Sequence, residues 1–229
     1  MQMTSSPSTW GCEVGYIRSS RRLGLPSLNL QTEVIATILD VLCAGWRAVC
    51  ARNALTRASM EVDIAGELVR EAITEKRRRG IQNLRIEEEV GTRASSRSPK
   101  PEGRIDIKVI YSFDESEYFG IECKRVSGRR SDGLARKYID NGLMRFVTGK
   151  YSSGDRWAGM IGFVIDGQTL ASVRLIADEI ATRSEELGLD AGWRSETGFG
   201  RIGQLYRTRH RRSRPKARID ILHLFLTLN

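Results

Sequence analysis

Residues 104–111 and 118–125 alternate apolar and polar side chains, and only the polar stretch Ser112-Phe113-Asp114-Glu115-Ser116-Glu117 separates them. That spacing describes a β-hairpin. Side chains two apart on a strand share a face, so Ile105, Ile107 and Val109 lie together, with Asp106 on the other side beside Arg104 and Lys108. In the second strand Phe119, Ile121 and Cys123 lie opposite Glu122 and Lys124. With the turn centred on Asp114, residues whose numbers sum to 228 face one another. Ile105, Ile107 and Val109 then oppose Cys123, Ile121 and Phe119, and Asp106 stands opposite Glu122, about 4.5–5.5 Å away at Cβ. One register satisfies both faces: an apolar side for a core, and a side carrying two carboxylates with Lys124 one pleat away.

Two carboxylates that close repel each other unless a cation sits between them. Mg²⁺ suits the place, being held by one or two carboxylates plus waters and substrate phosphate oxygens, and Mn²⁺ is expected to substitute. The lysine stabilises phosphate charge or orients the attacking water. Together these parts fit phosphodiester hydrolysis. A plainer alternative is that Asp106, Glu122 and Lys124 belong to a solvated strand face.

The remaining sequence sets bounds on partners and compartment. The 229 residues carry 37 Lys+Arg against 28 Asp+Glu, a formal charge of +9, which favours an anionic partner such as DNA. Four cysteines without a C-x-x-C pair and only two histidines argue against structural zinc. The most apolar stretch, 34–58, is broken by Asp40, Arg47 and Arg52, so it falls short of an uninterrupted membrane span. The expectation is a soluble, cytoplasmic protein with no membrane partner.

Residues 1–30 form a Ser/Arg/Gly-rich leader with Glu13 its one acid, followed by a single domain over 31–229. Helical periodicity runs over 31–54 and 60–79, the second ending in Lys76-Arg77-Arg78-Arg79-Gly80. A strand over 84–90, a loop over 91–103, the hairpin, a helix over 134–147, a strand over 160–165, a helix over 170–187 and a strand over 219–228 complete the order. Helices flanking a central mixed β-sheet give a domain of the α/β or α+β kind, with α/β taken forward.

Gly103-Arg104-Ile105-Asp106-Ile107 and Ile121-Glu122-Cys123-Lys124, with the order helix, strand, hairpin, helix, strand over 60–165, resemble the PD-(D/E)XK nuclease superfamily. The resemblance implies a restriction-endonuclease-like core and a Mg²⁺-dependent endonuclease acting on DNA, of the kind used in restriction or defence. It also implies that Asp106 and Glu122 bind the metal while Lys124 assists the nucleophile. Ile105 stands where a proline is often found, and Leu134 where some branches carry a glutamine four residues before a tyrosine, here Tyr138. Such nucleases often add a glutamate from the first core helix. Glu61 falls within the apolar arc of its helix and is favoured over Glu67, which points away, with Glu88 a third option.

Nucleic-acid contacts are expected from Arg125, Arg129 and Arg130 just after the E-x-K, and from Arg209, Arg211 and Arg212 in a basic loop. That loop belongs to a block, 201–218, with eight cations and no acids. Arg218-Ile219-Asp220-Ile221 repeats the string at 104–107 but lacks a following E-x-K, so Asp220 is given no metal role. His223 is expected to be a hydrogen-bonded structural histidine, and His210 part of the basic loop. A homodimer stays open. The competing function is a non-cleaving nucleic-acid-binding module, with RNA or ribosome binding a weaker third.

Overall fold

The computed structural model describes residues 32–92, 103–112, 118–151, 156–200, 202–212 and 216–228. The leader 1–30, most of the loop 91–103, the hairpin tip beyond Ser112, and Arg201 and Arg214 lie outside the described residues.

Apolar periodicity produces α1 (Thr32–Arg52) and α2 (Glu61–Arg78). α1 is long and apolar enough to cross a membrane by length and composition, half of it being buried within the fold. Its Trp46 stacks on Phe163 at 5.4 Å and donates from Nε1 to the Thr227 carbonyl at 3.0 Å. The cationic end of α2 stops at Gly80, whose φ of +69° is the left-handed conformation glycine adopts without penalty.

Seven strands follow: β1 (Arg85–Thr92), β2 (Gly103–Ile110), β3 (Tyr118–Val126), β4 (Trp157–Val164), β5 (Leu189–Ser195), β6 (Leu205–Arg211) and β7 (Arg218–Thr227). Between β3 and β4 lie a 3₁₀ turn (Arg130–Asp132) and a helical run composed of α3 (Leu134–Tyr138), a π turn (Ile139–Leu143) and α4 (Met144–Val147). α5 (Thr169–Thr182) follows β4 and is shorter than the expected 170–187. The strand order is β1-β2-β3-β4-β7-β6-β5. β3, β4 and β7 run parallel at the centre, and the other neighbours pair antiparallel. The chain is therefore α/β, a mixed sheet with helices on both faces.

The central strands are buried on both sides, as parallel strands under crossover helices must be. Along β4, Ile161 and Phe163 join the core under α1 and α2, while Ala158, Met160 and Val164 join the core under α3–α4 and α5. β7 alternates in the same way, with Leu222 and Leu224 on one side and Ile219 and Ile221 on the other.

β5 and β6 were not anticipated by the sequence. Residues 205–211 alternate Leu, Arg, Arg, Arg with Tyr, Thr, His, so neither face is apolar and hydrophobic periodicity gives no signal. The expected basic loop is thus a paired strand, with Arg207 registered against Leu222 and Arg209 against Asp220.

Candidate active site

The hairpin register holds where the ladder exists: Ile107↔Ile121, Lys108↔Gly120, Val109↔Phe119 and Ile110↔Tyr118. It stops there. Beyond Ile107 the Asp106 carboxylate accepts the Cys123 N–H at 2.7 Å, a bond the strand backbone would otherwise have made. The expected common face of Ile105, Ile107 and Val109 is accordingly broken: Ile107 and Val109 pack under α1 and α2, and Ile105 joins the opposite core. β2 leaves β3 at Asp106, and the acids meet across that divergence instead of across a regular ladder.

Glu122 and Lys124 are not on a solvated face. They lie beneath the 134–147 helix, 0% and 7% exposed. The lysine Nζ is 2.7 Å from Glu61 Oε1, 2.9 Å from Glu122 Oε1 and 3.8 Å from Asp106 Oδ2, and it donates to the Cys123 carbonyl at 2.6 Å. Three carboxylates from three elements therefore converge on one ammonium. Gly142 in the π turn makes room for this arrangement, since a Cβ there would sit 2.5 Å from Met160 Cε and 3.4 Å from Lys124 Cγ. Single π turns recur at functional sites.

Glu61 is the extra glutamate that reaches the cluster. It stands in the first turn of α2, where the helix dipole favours an acid, and its Oε2 accepts the Arg125 N–H at 2.9 Å. Glu67 pairs with Arg70, and the Glu88 carboxylate lies against Gly66 of α2.

Two participants escaped the sequence reading. Arg145 of α4 donates from Nη1 to Glu122 Oε1 at 2.6 Å and to the Tyr151 hydroxyl at 2.8 Å. Tyr151 in turn donates to the carbonyl of Arg104 on β2. Arg145 was visible only as a cation between Met144 and Phe146 in an amphipathic helix, a position that can point inward.

Burial dominates the electrostatics. It pushes the Glu122 carboxyl up to about 7, reinforced by Asp106 and opposed by Lys124 and Arg145. Asp106 is also raised by burial, against the pull of Lys124 and the Cys123 N–H. For Lys124 burial acts downward, but Glu122, Asp106 and Glu61 together outweigh it and raise its pKa, so the amine stays charged. Lys124 and Arg145 both bind Oε1 of Glu122, and Oε2 is left buried with no hydrogen-bond partner among the described residues. An orphaned carboxylate oxygen beside a second acid fits a divalent cation. Among the described residues no three His, Cys, Asp or Glu side chains form a ready metal cage. A two-carboxylate set suits Mg²⁺ because that ion keeps most of its waters.

Beside the cluster, a cleft of about 560 Å³ is lined by Arg57, Ala58, Arg125, Asp132, Leu134 and Ile165. Arg125 Nη2 donates to the Arg57 carbonyl at 2.9 Å, and Arg129 and Arg130 stand exposed on the following turn. The C-terminal arginines are placed differently from the expected loop. Arg209 and Arg207 are ion-paired with buried Asp220 at 2.8 Å each. Arg212 is only 3% exposed and donates to the Phe146 carbonyl at 3.0 Å, which removes it from any surface that meets nucleic acid. Arg211 remains on the surface, its Nε 3.6 Å from Asp190.

His210 also departs from the loop expectation, being buried in β6, whereas His223 is hydrogen-bonded in the core as expected. Set against known proteins, the chain matches no family model, no curated protein and no solved structure.

Proposed function

We propose that the chain is a Mg²⁺-dependent nuclease of the PD-(D/E)XK kind that hydrolyses phosphodiester bonds in DNA as an endonuclease. The observation that carries this reading is the convergence of Asp106, Glu122, Glu61 and Lys124 where β2 parts from β3, with Glu122 Oε2 buried and, among the described residues, unpartnered. The order α2, β1, β2, β3, α3–α4, β4 supports a restriction-endonuclease-like core.

Asp106 and Glu122 would hold the ion. When bound there, Mg²⁺ would supply charge neutralisation for the scissile phosphate and a lowered pKa for the attacking water. The chain's own residues do the rest. Lys124, kept protonated by its three acids, offsets phosphate charge as a fixed cation whose three protons are taken by Glu61, Glu122 and the Cys123 carbonyl, and it is unsuited to act as a base. Glu61 fixes Lys124 through Oε1 and the backbone of Arg125 through Oε2, so the cation and the strand end move as one unit. Arg57, Arg125, Arg129 and Arg130 border the approach and suit the phosphates that flank the cut.

A second reading has its own support. Lys124 and Arg145 already offset much of the acid charge, so the cluster can stand as a buried ion network in a module that binds nucleic acid without cutting. Incubation of plasmid, linear duplex and single-stranded DNA with Mg²⁺, Mn²⁺ or EDTA separates the two. Nicking of closed-circular plasmid with either metal and none in EDTA is expected, while metal-independent binding with no cleavage would favour the second reading.

A further inference from the structure

We infer that Arg145 and Tyr151 are positioning residues that fix the width of the gap between Asp106 and Glu122; the inference rests on the nuclease reading above. Where the β2–β3 ladder ends at Ile107↔Ile121, the two strands lose their direct backbone pairing. A side-chain bridge replaces it, running from the Arg104 carbonyl on β2 to the Tyr151 hydroxyl, on to Arg145, and finally to Glu122 on β3.

The bridge has one direction. A phenol has a single proton, which goes to the Arg104 carbonyl, so its oxygen accepts from the guanidinium. Its anchor is rigid: Tyr151 is 1% exposed, its ring packs edge-on to Phe146 at 5.8 Å, and Arg145 lies over the ring at 5.4 Å. Because Arg145 takes Oε1 of Glu122, the other oxygen is the one left without a partner among the described residues. Asp106 is pinned from its side by the Cys123 N–H. Each acid is thus tied through one oxygen, and Tyr151 and Arg145 set the distance between them together with Lys124, whose Nζ is 2.9 Å from Glu122 and 3.8 Å from Asp106. Misplacement of catalytic groups by about 1 Å lowers turnover by about two orders of magnitude, so a fixed gap matters to rate.

Tyr151→Phe keeps the ring and deletes only the hydroxyl, and Arg145→Ala removes the other link. In the metal-free chain, amide hydrogen exchange at Cys123 is expected to quicken about tenfold or more in both variants, with Ile121 and Phe119 unchanged because they lie inside the ladder. With metal, calorimetric Mn²⁺ affinity is expected to weaken about tenfold. Mg²⁺-dependent kcat on plasmid should fall with KM for DNA held within twofold, and millimolar guanidinium should restore part of the rate in Arg145→Ala. Wild-type exchange at Cys123 and wild-type Mn²⁺ affinity in both variants would overturn the inference, as would equal acceleration at Ile121, which marks general loosening of the core. If Cys123 responds as expected but the wild type neither binds Mn²⁺ nor cuts DNA, the brace stands and the nuclease reading fails.

Discussion

Four buried side chains, Tyr138, His223, Thr208 and His210, form one hydrogen-bonded line through the sheet, which has one consistent set of protons when both imidazoles are neutral. His210 Nδ1 faces the Leu187 carbonyl at 2.9 Å and must donate, so its Nε2 accepts from the Thr208 hydroxyl at 2.7 Å. Thr208 then accepts from His223 Nε2 at 2.8 Å, and His223 Nδ1 accepts from the Tyr138 hydroxyl at 2.9 Å. Both imidazoles are neutral in this line, and burial pushes His210 down to about 4 and His223 well below its ordinary value. A base whose folded pKa lies below its unfolded value of ~6.5 leaves stability intact above that pH and erodes it as pH falls toward the folded pKa. For His210 the full loss is on the order of 3 kcal/mol near pH 4. Glu122 acts in the opposite sense, because its raised pKa makes protonation between about 7 and its ordinary value stabilising. In Glu122→Gln, which removes that opposing contribution, urea-unfolding stability is expected to drop between pH 6.5 and 4.5, with His210 alone contributing about 2 kcal/mol. A flat profile in that variant would contradict neutral buried histidines. The nearness of Asp106, Glu122 and Lys124 was readable from alternation and the hairpin register, but the break of the ladder at Asp106 was not. Nor were Arg145 and Tyr151, because they come from outside the hairpin and only packing brings them in.

At the level of elements, the two N-terminal helices were legible because their apolar positions repeat every three to four residues, and the structure places them within two residues of the expected ends. What periodicity does not encode is how closely they cross. Gly45 of α1 meets the backbone of α2, where a Cβ would lie 2.7 Å from Ala72 N and 3.0 Å from its Cα. Alanine in place of glycine inside a helix usually gains about 1 kcal/mol, whereas overpacking costs typically 1–3 kcal/mol. Backbone atoms cannot swing aside as a side-chain tip can, so overpacking wins. Gly45→Ala is expected to lower the unfolding free energy by about 1 kcal/mol or more, measurable as a lower urea midpoint; a stabilised variant would show that the helices separate freely. The hairpin's register was legible, but not its end, since the break at Asp106 is made by a side chain taking a backbone partner. β6 was hidden for the opposite reason, its interior positions being Thr208 and His210, which are buried only because a hydrogen-bonded line satisfies them.

Across the whole molecule, the formal charge of +9 overstates the surface available to a polyanion. Removing the eight cations of 201–218 brings it to +1. Among the described members of that block, Arg207 and Arg209 are committed to Asp220 and Arg212 is buried. On the proposed DNA-binding reading, the exposed pair Arg129 and Arg130 is the stronger candidate for the footprint. Each phosphate contact contributes ~0.9 to the slope of log affinity against log salt for duplex DNA, so Arg129→Ala with Arg130→Ala is expected to reduce that slope by roughly 2. An unchanged slope would move the footprint elsewhere. The proposed catalysis requires Asp106, Glu122 and Lys124 to act together. The most direct measurement is plasmid cleavage in Mg²⁺ by wild type, Asp106→Asn and Lys124→Ala, each checked for a native melting transition. We expect both variants to lose about two orders of magnitude or more in rate while still binding DNA. Cleavage by both at the wild-type rate would contradict it.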